Sequence, residues 1–264
     1  MIDKTWTSAA EAVADIPDGA SLAVGGFGLS GNPMVLIEAL HRQGTSGLRV
    51  VSNNCGVDDW GLGILLADKR ISKMTSSYVG ENKEFERQFL SGELELELTP
   101  QGTLAEKLRA GGSGIAAFYT QTGVGTQVSD GGLPRKYDGA GGIAVASPRK
   151  DVRAFDLTGV SREYVLEEAI VTDFALVHAA VGDTHGNLVF SKAARNFNPL
   201  AAMAGRVCIA QVEKLVPAGE IDPDAVHLPG VFVHRLVEVG TDIEKRIERR
   251  TVTPAVSRTA AEGV

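Results

Sequence analysis

The stretch from Asp18 to Pro33 constrains the chain most, reading Asp-Gly-Ala-Ser-Leu-Ala-Val-Gly-Gly-Phe-Gly-Leu-Ser-Gly-Asn-Pro. Leu22 to Val24 form a short apolar run of the kind a buried strand uses, and Gly25 to Gly31 then place four glycines in seven positions. Asn32 is a competent N-cap and Pro33 a favoured first helical residue, and Leu36, Ile37 and Leu40 follow at helical spacing. The spacing predicts strand, glycine loop, helix. A helix N-terminus carries unpaired backbone N–H groups, and here they face a loop without bulky side chains, an arrangement suited to an anionic ligand.

The residues of this loop leave more than one reading open. Glycines at a strand end often mean only a tight turn beside a helix. Gly26, Gly28 and Gly31 also satisfy the G-x-G-x-x-G dinucleotide pattern, which expects an acidic residue at the end of the next strand. The next apolar strand, Leu48 to Val51, ends instead in Ser52-Asn53-Asn54, so no carboxylate waits for a ribose.

The rest of the chain continues the alternation. Ser8 and Glu11 form a capping box for a first short helix. Trp60 to Leu66 is a second apolar helix after the glycine-loop helix, and Met74 to Tyr78 a third strand. Asn82 can cap a helix carrying Phe85, Phe89 and Leu90 and closed by Gly92. Glu93 to Leu98 alternates Glu and Leu, a period of two that puts the leucines on one face of a strand. It delivers Thr99-Pro100-Gln101-Gly102, with Thr103 and Glu106 as a capping box for a helix through Leu108, so Gln101 is expected in a strand-to-helix loop.

Gly111 to Gly142 reads as glycine-rich strand pieces and turns, Ala116 to Tyr119 among the pieces, with a hairpin turn at Asp138 to Gly142. Strands are expected at Arg153–Phe155, Tyr164–Ile170, Phe174–Ala180, Leu188–Phe190, Val207–Val212 and Gly230–Val237, and a helix at Lys192–Met203. Strands alternating with helices predict an α/β protein with an open, mostly parallel sheet and helices on both faces. One domain over residues 1–250 and a mobile tail over 251–264 are expected, since the end of the chain turns small and polar.

Composition narrows the function. At 264 residues and a formal charge of -7, the chain lacks the excess of Lys and Arg that a general nucleic-acid or anionic-membrane binder needs. Two cysteines, Cys55 and Cys208, without a C-x-x-C pair, suggest neither a disulfide framework nor a thiolate metal site. His41, His178, His185, His227 and His234 are scattered without metal-ligand spacing, so no metal is expected. The N-terminus carries Asp3, Glu11 and Asp15 and no long apolar run, and a soluble, cytoplasmic protein is expected.

The Asp18–Pro33 stretch resembles the signature of the family I coenzyme A transferases, and the likeness extends further. Ser77 to Asn82, Gly92 to Thr103, Arg109 to Gly112 and Ala193 to Asn198 all resemble A subunits of the 3-oxoacid branch of that family, in the same order. The fold this implies is of the CoA-transferase type. The implied activity is ping-pong transfer of CoA between succinyl-CoA and acetoacetate, in which a glutamate forms an acyl anhydride and then a glutamyl-CoA thioester.

That glutamate is expected on a separate B subunit, in a Ser-Glu-Asn-Gly motif absent here, and two A and two B chains would form a heterotetramer. CoA is implied as a substrate, with no tightly bound cofactor. Gln101, in Thr-Pro-Gln-Gly-Thr, is implied to line an oxyanion hole. Gly25, Gly26, Phe27, Gly28, Leu29, Ser30, Gly31 and Asn53 are the candidates for contacting CoA, Asn53 standing where the B subunit has its glutamate. Glu81, in Gly-Glu-Asn, is read as first-turn electrostatics of the helix that Asn82 caps.

Ser30 for Cys, Asn32 for Ile and Met34-Val35 for Glu-Asn depart from the common family form. Related 3-oxoadipate transferases share the glycine loop but not the text at Val79 to Asn82 and Glu84 to Arg87, which makes acetoacetate the expected acceptor.

Overall fold

A computed structural model describes residues 3–246; the tail expected at 251–264 lies outside the described residues. The first half alternates as expected. Helix α1 (Ala9–Val13) precedes β1 (Ser21–Val24), α2 (Met34–Gln43), β2 (Leu48–Val51), α3 (Gly63–Ala67), β3 (Ile71–Ser76), α4 (Lys83–Leu90), β4 (Glu95–Leu98) and α5 (Gln101–Gly112). An intervening segment carries β5 (Ala117–Thr120), α6 (Gln127–Asp130), β6 (Pro134–Tyr137), β7 (Ile143–Ala146), β8 (Val152–Asp156) and β9 (Ser161–Glu168). Then follow β10 (Thr172–Asp183), β11 (Leu188–Val189), α7 (Asn198–Ala204), β12 (Gly205–Val216) and β13 (Arg235–Glu238).

The main sheet has the order β13-β12-β10-β1-β2-β3-β4, and every neighbouring pair in it is parallel. Short β11 adds an antiparallel pair to β10. Because β1 lies between β2 and β10, the chain winds outward one way through β4 and the other way through β13, and the strand order reverses beside β1. In open α/β sheets, ligands bind outside the carboxyl ends of the strands at such a reversal.

Side-chain alternation assigns the two faces. Leu22 and Val24 of β1, Val50 of β2, Met74 of β3 and Leu96 of β4 join one buried cluster with α1 to α4, through Leu36, Ile37, Leu40, Leu65 and Phe85. Ala23, Val51, Ala175 and Val177 point the other way, into a cluster with Leu104 and Leu108 of α5 and Ala201 and Ala202 of α7. Small residues on this second face let α7 approach closely. A Cβ on Gly112, at the end of α5, would stand 2.3 Å from that of Met203, so only glycine fits there, and the helix runs on through Gly111 and Gly112 past the expected stretch to Leu108.

Several boundaries differ from expectation for local reasons. Pro33, not Asn32, occupies the cap position of α2, and the Asn32 side chain turns back into the glycine loop, its amide reaching Gly28 O at 3.5 Å. Helix α5 starts at Gln101 with Pro100 as its cap residue, so Thr103 sits inside the first turn and its buried hydroxyl makes no hydrogen bond. Lys192 to Arg195 is a 3₁₀ turn, and the helix resumes only at Asn198. Gly230 to Phe232 is likewise a 3₁₀ turn before β13. The Ser8 and Asn82 caps form as predicted, each side chain accepting a backbone N–H three residues on.

The segment between α5 and β10 builds two antiparallel pieces, β5-β9-β8 and the β6-β7 hairpin. Its Asp138–Gly142 turn is closed by Asp138 Oδ1, which accepts from the N–H groups of Ala140 and Gly142. The hairpin covers the open edge of β4, where Arg135 pairs with Glu97 at 3.0 Å and Tyr137 meets Phe89 edge to face. Glu167 of β9, 1% exposed, is held between Lys107 of α5 and Lys150. Removing one partner of a buried ion pair strands the others. Glu167→Ala is expected to lower stability by about 3 kcal/mol in urea unfolding. Glu93→Gln, at an exposed carboxylate paired with Arg87 and Lys69, should cost less than about 1 kcal/mol.

Candidate active site

Parallel strands deliver their carboxyl-end loops to one edge, and β1, β2, β3 and β4 deliver four. Together they line a cavity of about 430 Å³. Phe27, Gly28 and Leu29 come from the loop after β1, Asn53, Asn54, Gly56 and Val57 from the loop after β2, Ser77, Tyr78, Gly80 and Glu81 from the loop after β3, and Gln101 from the start of α5. Phe27 and Tyr78 stand largely exposed, with half of each side chain open to solvent.

Hydrogen bonds tie these loops to one another. Gln101 Nε2 donates to Asn53 Oδ1 at 3.0 Å, and Ser77 Oγ donates to the same oxygen at 2.8 Å. Ser76 Oγ and the Ser77 N–H both donate to the Asn53 carbonyl. Asn54 grips Gly28 from both sides, its Oδ1 accepting from Gly28 N at 3.1 Å and its Nδ2 donating to Gly28 O at 3.3 Å. Ser52 Oγ donates to Val24 O, joining the ends of β1 and β2.

The four glycines of the β1 loop divide by task. A Cβ on Gly25 would lie 1.9 Å from Asn198 Oδ1, and one on Gly31 would lie 2.7 Å from Asn198 Nδ2. Gly26 would meet Asn32 Oδ1 at 2.0 Å. These three make room for neighbouring amides. Gly28, with φ +58, has nothing within 4 Å of its would-be Cβ, so its bareness opens onto the cavity. Of the expected loop contacts, Phe27, Gly28 and Leu29 line the cavity, whereas Gly25, Gly26, Ser30 and Gly31 are buried beneath it. The Ser30 hydroxyl is buried without a partner, an environment that would suit a less polar side chain.

Glu81 is not in the first turn of α4. It precedes the Asn82 cap in the left-handed region, at φ +67, with its side chain exposed at the rim. Cys55 adjoins Asn54, but burial pushes its thiol well above the ordinary range, so it carries no thiolate nucleophile. Ser77 and Asn198 were not singled out by sequence reasoning. Ser77 opens the resembling segment Ser77–Asn82 and Asn198 closes Ala193–Asn198, so the signal lay in the motifs. Among the described residues no group of three or more His, Cys, Asp or Glu side chains is placed to hold a metal ion, and no helix is long and apolar enough to cross a membrane.

The family pattern described as coenzyme A transferase matches residues 6–239. The chain belongs to the coenzyme A transferase family. The transferase is 65% identical over 251 residues to a Mycobacterium bovis protein named as the A subunit of a probable succinyl-CoA:3-ketoacid coenzyme A transferase, covering 95% of this chain and 99% of that one. The A subunit of a Xanthomonas campestris succinyl-CoA:3-ketoacid coenzyme A transferase is 58% identical over 250 residues, covering 94% of each chain. Among solved structures, an acyl-CoA transferase of Escherichia coli O157:H7, in a thioester complex with CoA, aligns with TM-score 0.71 at 25% identity over 89% of this chain. The transferase spans 47% of that longer chain. With this membership the dinucleotide-binding alternative is not favoured.

The division among the glycines has a measurable consequence for the transferase. Gly25→Ala should prevent the fold from closing on Asn198 and lower the melting temperature sharply, whereas Gly28→Ala should cost only the left-handed strain of about 1–2 kcal/mol, read by thermal unfolding.

Proposed function

We propose that this chain is the A subunit of a succinyl-CoA:3-oxoacid CoA-transferase that moves CoA between succinyl-CoA and acetoacetate and works only with a B subunit. The observation that carries the reading is the floor of the cavity. Asn53 and Gln101 meet there as two neutral amides 3.0 Å apart. An amide can donate to a carbonyl oxygen that gains charge, but it cannot perform the carboxylate attack. The names and near-full coverage of the Mycobacterium and Xanthomonas relatives support the same assignment.

On this reading the B subunit brings a Ser-Glu-Asn-Gly glutamate to the open side of the cavity. Its carboxylate attacks the succinyl thioester carbonyl and expels CoA as thiolate, forming a succinyl-glutamyl anhydride. The thiolate attacks the glutamyl carbonyl and releases succinate, leaving a glutamyl-CoA thioester. The acetoacetate carboxylate then attacks that thioester carbonyl and expels CoA thiolate, forming an acetoacetyl-glutamyl anhydride, and the thiolate attacks the acetoacetyl carbonyl, giving acetoacetyl-CoA and releasing the glutamate carboxylate. Each step places negative charge on one carbonyl oxygen. Gln101, at the positive N-terminal end of α5, is the donor this chain offers to it.

Phe27, Gly28 and Leu29 are positioned to flank the CoA arm. Gly25, Gly26, Ser30 and Gly31 act from beneath, by shaping that loop. CoA is a substrate, and no tightly bound cofactor is needed for these steps. The assembly is a heterotetramer of two A and two B chains, located in the cytoplasm and serving the turnover of ketone bodies. The two cysteines are free and buried, in keeping with a reducing compartment.

The assay is CoA transfer from succinyl-CoA to acetoacetate, run on this chain alone and after co-expression with a B-type chain. Activity is expected only in the pair, and transfer by the unpartnered chain would overturn the divided site. In the pair, Gln101→Ala should lower kcat by about 10²–10³-fold with little change in KM for the CoA substrate.

A further inference from the structure

Asn53 is 3% exposed, and its side-chain oxygen is occupied twice over, by Gln101 Nε2 and by Ser77 Oγ. Which end of each amide faces which neighbour follows from a chain of bonds that starts on backbone. The N–H of Gly28 only donates and its carbonyl only accepts. Asn54 bonds both, with Oδ1 on the N–H and Nδ2 on the carbonyl, so it has one orientation. Asn54 Oδ1 then faces Asn53 Nδ2 at 3.5 Å, which turns Asn53 Oδ1 to the other side. An amide oxygen there accepts only, so Gln101 meets it with its NH₂ end.

We propose that Asn53 is a positioning residue for Gln101, acting with Ser77 and Asn54, rather than a CoA contact. The inference rests on the reading that Gln101 stabilises the oxyanion. Left alone, a glutamine side chain rotates, and a turned amide would present its carbonyl oxygen to a carbonyl oxygen gaining charge. Asn53 takes one N–H of Gln101 and holds the amide plane. The second N–H has no hydrogen bond among the described residues, which leaves it for the reacting carbonyl. Ser77 fixes Asn53 from a third loop. A donor held before charge develops costs no reorganisation during the reaction.

The network therefore links the loop after β1, through Gly28, to the first residue of α5. Occupation of the glycine loop by CoA and the aim of the Gln101 amide become parts of one hydrogen-bonded unit. Residues acting through one another are non-additive, and that separates positioning from direct contact.

The test is a double-mutant cycle in the assembled enzyme. Gln101→Ala should lower kcat about 100-fold. Asn53→Ala should lower it about tenfold, with KM for succinyl-CoA unchanged, and the double variant should be no slower than Gln101→Ala alone. A double variant about 1,000-fold slower, the product of the two, would mean Asn53 acts independently and would overturn the proposal. Ser77→Ala covers the case in which Asn53→Ala does not fold: it should lower kcat a few-fold, with Ser77→Thr restoring it, and an unchanged kcat counts against the network.

A second readout needs no turnover. Crystal structures of the complexes carrying Asn53→Ala and Ser77→Ala should show Gln101 displaced or split between conformers, and an unmoved Gln101 would overturn the proposal. If the wild-type pair transferred no CoA at all, the proposed function would fall, while this structural comparison would still decide whether Asn53 positions Gln101.

Discussion

The ligand face depends on one buried side chain, Asn198 at the start of α7. Strand β10 runs well past the end of β1, so beyond Leu176 its N–H groups on that side lose their sheet partner. Asn198 replaces the missing strand. Its Oδ1 accepts the His178 N–H at 2.9 Å, and its Nδ2 donates to Gly31 O at 3.0 Å and Ala194 O at 2.8 Å. The residue is wholly buried, where an unmet polar group is costly, so its hydrogen bonds anchor the loop to the edge of β10. Gly25 and Gly31 are glycines because this amide occupies the space their side chains would need.

With the loop pinned from below, its upper side can be left bare. Gly28 contributes backbone alone to the cavity, and Asn54 reads that backbone and passes its polarity to Asn53. Two layers of amides thus lie on either side of the β1 loop, one structural and one lining the cavity. On the proposed function the second layer offers hydrogen-bond donors without a nucleophile, and the chemistry of attack is left to a partner chain.

Much of this was legible in the residues. The apolar run at Leu22, the glycine punctuation and the helical spacing of Leu36, Ile37 and Leu40 are local signals, and local signals placed β1, its loop and α2 in register. The family likeness singled out Gln101, which the fold brings to the cavity beside Asn53. Features set by tertiary partners were not readable. Asn32 has the chemistry of a cap, but its amide is drawn toward Gly28 O, so Pro33 takes the position.

Thr103 and Glu106 have capping spacing, yet helix α5 begins two residues earlier. Between α5 and β10 the strands near Arg153–Phe155 and Tyr164–Ile170 and the turn at Asp138–Gly142 were readable, but their pairing into two small antiparallel sheets was not, because β5 and β6 are half-exposed, β7 is exposed throughout and none alternates cleanly. Ser77 and Asn198 stood inside recognisable motifs, but what each bonds is known only when distant loops meet.

The Asn198 clamp also orders events in time. Gly31 and Asn198 are 167 residues apart in the chain, and the strand that flanks β1 on one side, β10, is likewise encoded late. At ribosomal speeds of about 5–20 residues per second, roughly 10 to 30 s separate the appearance of the glycine loop from that of the amide that shapes it. Through that interval β1 to β4 can pair with one another, but one flank of β1 stays open and the loop has no template. The half of the fold synthesised first therefore acquires its cavity-facing form last, and a nascent chain stalled before β10 would present an unpaired central strand to whatever chaperone or neighbour it met.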